Sequence, residues 1–147
     1  MYLLDTNVVS LIAPARRRTD ADEELAGWIV ARSGDLFLSV VTAAEIEDGI
    51  AEARRTVASR KADMLAGWWG EILHYWGDRI LPVDLAVARK AGRLMDRARA
   101  AGVDPGFEDV AIAATGSVHA LTVLTRNGKD FRPLGAAFLN PFERPPS

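Results

Sequence analysis

The sequence predicts an α/β domain, a parallel β-sheet with helices on both faces. Three observations predict it. Runs that are almost wholly apolar, at residues 2–4, 36–41 and 121–124, read as short strands buried on both sides. Longer stretches with apolar residues at helical spacing lie between them. Alternation of this kind implies right-handed βαβ crossovers and a three-layer α/β/α sandwich. The third observation is size. A chain of 147 residues, 49% of them apolar, can bury a substantial core, and it matches the roughly 100–200 residues of one domain. The chain therefore reads as one domain over 1–147, with a C-terminal tail at 139–147.

Each element has a local reason. Tyr2-Leu3-Leu4 stops at the polar tip Asp5-Thr6-Asn7 and forms the first strand. Residues 8–13 are apolar again and break at Pro14, which fits a short helix. Residues 16–20 are a polar loop. Residues 23–31 place Leu25, Trp28 and Ile29 at helical spacing. Ser33-Gly34-Asp35 turns the chain into the second strand, 36–41. Thr42 opens a helix with Ala43, Ile46, Ile50 and Ala53 on its inner face. The next helix runs over 57–76, striped by Leu65, Trp68, Trp69, Ile72 and Trp76. Gly77-Asp78 ends it. Residues 79–83 are a third strand weakened by Pro82. Asp84 is a good N-cap for a helix over 85–101. A loop at 102–106 leads to a helix over 108–119. Residues 121–124 are the fourth strand, and 125–128 form a polar turn at its tip. Residues 135–139 are a fifth strand, followed by a proline-rich stretch.

Composition excludes several classes. No apolar run approaches the roughly 18 residues of a membrane span. The first residues carry no basic region and meet Asp5 at once, unlike a secretory signal. With no cysteine there are no disulfides, thiolate metal sites or thiol nucleophiles. A cytoplasmic location is the simplest expectation. The net charge of −2 lacks the surplus that non-specific nucleic-acid binding needs, so any such contact uses local patches. Fifteen Arg against three Lys suits phosphate contact, and also reflects what an Arg-favouring codon usage would produce.

In open parallel sheets ligands bind beyond the carboxyl ends of the strands. Asp5 ends the first strand. Thr42 and Glu45 follow the second. Asp109 opens the helix leading into the fourth strand, which ends at Thr125 and Asn127. Acidic and amide oxygens from distant segments are thus expected at one sheet edge. Oxygen-only clusters select hard cations, which also relieve repulsion between neighbouring carboxylates. Each acid has a second reading. Asp5 can brace the loop after its strand. Glu45 completes a Thr42-x-x-Glu45 capping box. Asp109 sits where the helix dipole favours any acid. Glu47, Asp48 and Glu52 read as a solvated helix face.

Other chemistry finds little footing. His74 and His119 form no ligand pair. Ser10 and Ser39 lack a triad context, and no glycine-rich phosphate loop is present. Trp68, Trp69 and Trp76 have the spacing of a packing stripe, although tryptophans also stack nucleobases.

Four blocks, in order, carry a family resemblance. Leu3-Leu4-Asp5-Thr6-Asn7-Val8-Val9 resembles the opening of PIN domains. Residues 38–50 resemble their second motif, Glu108-Asp109-Val110-Ala111-Ile112-Ala113-Ala114 their third, and Thr122-Val123-Leu124-Thr125-Arg126-Asn127 with Asp130-Phe131 their fourth. The closing Phe138-Leu139-Asn140-Pro141-Phe142 looks most like the VapC toxin group, in its FitB-like branch.

The resemblance implies a five-stranded parallel sheet in the order 3-2-1-4-5 and Mg²⁺- or Mn²⁺-dependent RNA cleavage. Asp5, Glu45 and Asp109 would be the acidic, metal-holding cluster. Thr6 and Thr125 would position water or phosphate, and Asn127 would orient that network. Many members carry an aspartate where this chain has Asn127, which leaves the fourth acidic position neutral. Asp130 lies three residues on. A VapB- or FitA-like antitoxin is the implied partner, with DNA reached only through it, RNA as substrate and a homodimer as the assembly. The first helices around Leu11 and the tryptophan helix are the expected dimer surfaces. A PIN fold kept for antitoxin and operator binding, with weak catalysis, is the alternative that Asn127 favours. A small phosphatase would want an Asp-x-Asp pair, and position 7 is Asn.

Overall fold

A computed structural model describes residues 1–14, 16–56 and 59–147. Its sheet has five parallel strands: β1 (Tyr2–Leu4), β2 (Leu36–Ser39), β3 (Ile80–Leu81), β4 (Thr122–Leu124) and β5 (Phe138–Leu139). Their order is β3-β2-β1-β4-β5, as the family resemblance implied. β1 is central: Leu3 pairs with Phe37 on one side and Val123 on the other. Because strand side chains alternate, β1 feeds two cores. Leu4 joins Leu36, Leu38 and Leu124 under helices α2 (Asp20–Ala31), α3 (Val40–Arg55) and α4 (Ser59–Trp76). Leu3 joins Val123 under α5 (Leu85–Ala100) and α6 (Phe107–Val118).

Side-chain caps move several boundaries away from their sequence-based positions. The first helix, α1 (Thr6–Val9), begins two residues early because the Asp5 carboxylate accepts the Thr6 amide. A 3₁₀ turn, Ser10–Ile12, continues it. Helix α2 begins at Asp20 rather than residue 23, since Thr19 and Asp22 form a reciprocal capping box. Strand β2 stops at Ser39, whose hydroxyl accepts the Val41 amide at 3.1 Å and starts α3 at Val40. Thr42 therefore lies inside the helix, fully buried, and caps nothing. The expected start of α4 at Val57 falls outside the described residues. Strand β3 keeps two residues of an expected five, ending just before Pro82, which has no amide hydrogen for the ladder. Asp84 caps α5 as expected, accepting the Val87 amide at 2.9 Å.

Two short elements went unread in the sequence: α7 (Gly128–Phe131) and a 3₁₀ turn, Arg132–Leu134. They bury Phe131 and Leu134 completely. Gly135 then adopts φ +69, a left-handed conformation outside strand geometry, so β5 starts at Phe138 instead of residue 135.

Leu11 is fully buried, and Trp69 and Trp76 are buried to within a few per cent, so these three side chains belong to the core. The outward apolar residues of α4 are Met64, Leu73 and Tyr75. The tail is held to the body. Phe142 packs against the core, and the Arg126 guanidinium lies 3.8 Å from its ring centroid. No helix among the described residues is long and apolar enough to cross a membrane.

Candidate active site

Asp5 is the hub at the carboxyl edge of the sheet. It follows β1 directly, and its amide donates to the Leu124 carbonyl at 2.9 Å, tying the tips of β1 and β4 together. The residue is only 4% exposed. Burying a carboxylate is costly unless it is hydrogen-bonded, and here three donors converge on it. Oδ1 accepts the Thr6 amide at 2.8 Å. Oδ2 accepts the Asn7 side-chain amide at 2.9 Å and the Thr125 hydroxyl at 2.7 Å. A carboxylate offers about four acceptor positions, so roughly one stays open for a ligand.

The remaining groups are arranged around that hub. Thr6 donates its hydroxyl to the Glu45 carboxylate, and the hydroxyls of Thr6 and Thr42 lie 3.4 Å apart. Glu45 is thus turned toward the strand tips, not back onto a helix terminus. The capping box that gave it a second reading does not form, because Ser39 took the cap. Thr125 is fully buried and also accepts the Asn127 amide at 3.0 Å. Asn127 itself is exposed, and its side chain does not cap the short helix it precedes.

Asp109 lies in the first turn of α6, half-buried. Its coupling to the hub is electrostatic. Burial first, and then the charges of Asp5, Asp130, Glu45 and Glu108, push its pKa up from 3.8 to about 6. The Glu45 pKa is also raised, by desolvation first and by Asp5 and Glu108 next, against the Thr6 hydrogen bond that lowers it. Asp5, Glu45 and Asp109 therefore share one negative field. Among the described residues, no three acidic or imidazole groups are close enough together to form a ready ligand set for a metal ion.

Asn7 is the functional neighbour that sequence reasoning missed. Its side-chain amide donates to Asp5, and its oxygen accepts the Arg126 amide at 3.0 Å, so it bridges the two strand tips. The available signal was an amide two residues after a strand-ending aspartate. Glu47 is more than part of a solvated helix face. It is exposed, yet its carboxylate accepts the Trp69 indole N–H at 2.8 Å.

Comparison with known proteins agrees with this fold. A family model described as the PIN domain matches residues 2–136. VapC ribonuclease Y4jK of Sinorhizobium fredii is 34% identical, over 97% of this chain and 99% of its own length. Among solved structures, FitAcB from Neisseria gonorrhoeae superimposes with a TM-score of 0.84 at 33% identity, covering 97% of this chain and 99% of that one. FitAB bound to the IR36 DNA fragment gives a TM-score of 0.76 at 31% identity, covering 97% and 96%.

Proposed function

Since the chain belongs to the PIN-domain family, we propose that it is a Mg²⁺- or Mn²⁺-dependent endoribonuclease, the toxin of a type II toxin–antitoxin pair. The observation that carries this reading is the buried Asp5 carboxylate, held by three donors and facing the shared field of Glu45 and Asp109. Glu45 and Asp109, whose pKa values are raised by burial and by neighbouring acids, are poised to gain from a divalent cation. The donor set is all oxygen, which fits a hard ion.

Asp5, Asp109 and Glu45 are the residues that would hold the cation, although they do not form a ready ligand set as they stand and would have to draw together around it. When bound, it would neutralise charge on the scissile phosphate and acidify water. The chain's own groups do the positioning. Asn7, Thr6 and Thr125 fix the Asp5 carboxylate, so that it needs no reorientation when substrate arrives. Thr6 also holds Glu45. Asn127 offers an amide oxygen and N–H at the rim to orient water or phosphate. It carries no charge and cannot accept a proton as an aspartate there would. Asp109, with a pKa near 6, is mostly ionised at neutral pH.

The partner in this reading is a VapB- or FitA-like antitoxin. The solved relatives that support it are a FitAcB structure and a FitAB structure bound to DNA. A net charge of −2 agrees with DNA being reached through the antitoxin. One domain over 1–147, a homodimer and a cytoplasmic setting complete the proposal.

The test is Mn²⁺ titration by calorimetry together with RNA cleavage in the absence of antitoxin. Asp5→Asn keeps the size of the side chain and removes the charge. It is expected to cut cleavage by about a hundredfold or more while circular dichroism stays unchanged. Full cleavage by that variant refutes the assignment. Asn127 favours a second reading, a PIN-fold module with weak catalysis that serves the antitoxin complex. Absence of turnover in the wild type, with antitoxin binding intact, selects it.

A further inference from the structure

A groove of about 620 Å³ starts at Thr6 and Glu45 and follows α3 toward its C-terminal end. From Glu45 to Thr56 the chain rises about 16 Å at 1.5 Å per residue, a span of a few nucleotides. Its floor is apolar, with Ile50 among the lining residues. Its far wall is α4. Lys61 and Trp68 lie seven residues apart on that helix, hence on one face, and both line the groove. Trp68 is only half-buried, with its ring tilted 46° against that of buried Trp69. Arg16 lines the groove from the loop after the first 3₁₀ turn. Both cations are exposed, and neither forms an ion pair among the described residues. Glu52 also reaches the groove, so the attraction for an anion comes from Arg16 and Lys61 together.

We propose that this groove is a track for single-stranded RNA leading into the carboxylate site, in which Trp68 stacks an unpaired base and Lys61 and Arg16 take backbone phosphates. The choice of RNA as occupant rests on the ribonuclease reading; the track is argued from the groove. Base stacking on a partly exposed aromatic with cations beside it is the usual recipe for sequence-tolerant single-strand binding. Continuity is the second argument. Thr6 and Glu45 belong to both the groove and the Asp5 network, so a strand lying along α3 reaches the acids without a break. The chain's overall negative charge requires such a local device, because no broad positive field draws RNA in.

The test measures binding apart from cleavage. In an Asp5→Asn background without divalent cation, a labelled single-stranded RNA oligonucleotide is titrated by fluorescence anisotropy. Trp68→Leu, Lys61→Glu and Arg16→Glu are each expected to weaken binding about tenfold. Arg93→Glu, the same charge reversal on the exposed face of α5, separates local contact from net charge and should weaken it far less. A duplex of the same sequence should bind more weakly, since a paired base cannot stack on Trp68. In the cleaving enzyme the same three substitutions should raise KM with little change in kcat. Because Trp68 also packs on the core, the two exposed cations keep the test valid if Trp68→Leu misfolds. Unchanged RNA affinity in Lys61→Glu and Arg16→Glu overturns the track even if the wild type cleaves RNA. So does loss of antitoxin binding alone, which would assign the groove to a peptide. RNA held through these residues with no cleavage by the wild type upholds the track and removes the nuclease reading.

Discussion

The hydroxyl of Thr125 donates a 2.7 Å hydrogen bond to Oδ2 of Asp5, joining residues 120 apart in the chain at the tips of adjacent strands. Both side chains are buried. The contact therefore serves two ends: it satisfies a carboxylate that burial would otherwise penalise, and it fixes the direction in which that carboxylate faces.

Thr125→Val keeps the shape and removes the donor. It leaves Asp5 one hydrogen bond short and strips the acceptor from the Asn127 amide. Urea unfolding should show a loss of about 1–3 kcal/mol, and Mn²⁺ affinity should fall about 10- to 100-fold. Thr125→Ser, which keeps the hydroxyl, should recover most of both. An unchanged unfolding midpoint for the valine variant would show that the clamp carries no weight.

The raised pKa of Asp109 has a definite sign in stability. Its folded value, about 6, exceeds the ordinary 3.8, so protonation favours the folded state. The contribution is complete below about pH 4 and is lost as pH rises through 6. In metal-free buffer, Asp109→Asn should therefore flatten the decline in melting temperature between pH 4 and 7 relative to wild type. Glu45, also raised, acts in the same direction. A divalent cation should restore wild-type stability mainly above pH 6. Identical pH profiles for the two proteins would show that the Asp109 pKa is not raised in the folded state.

Glu47 and Trp69 offer a control remote in chemistry from the acids. The Trp69 indole, 3% exposed, donates to Glu47 at 2.8 Å. Glu47→Ala strands that N–H and should cost about 1–3 kcal/mol in denaturant unfolding. Glu47→Gln keeps an acceptor and should cost much less. Equal losses for the two would mean that the charge, and not the hydrogen bond, matters.

Gly116 sits where α6 meets β4. A Cβ built there lies 2.9 Å from Val123 Cγ2 and 3.2 Å from the Leu121 carbonyl oxygen. Backbone on one side leaves little room to yield. Gly116→Ala should destabilise by about 1–3 kcal/mol through overpacking, despite the better helix propensity of alanine. A stabilised variant, read by thermal melting, would show that the helix shifts freely on the sheet.

Much of this architecture could be read from residue order. Buried strands announced themselves as short apolar runs, helices as periodic stripes, and Asp84 as a cap, because each depends on neighbours a few positions away. Position at the strand ends nominated Asp5, Glu45 and Asp109, and the resemblance supplied strand order and a metal-holding role for the three. Local pattern left Glu45 undecided between a capping role and an inward one. That choice turned on whether Ser39 or Thr42 began α3, which depends on where β2 leaves the sheet. The Asn7 bridge, the Thr125 clamp and the electrostatic coupling of Asp109 to Asp5 span about 100 residues or more. Their existence rests on β1 and β4 lying side by side, a pairing that brings remote tips within hydrogen-bond reach. A linear pattern of apolar and polar residues carries no record of those distances.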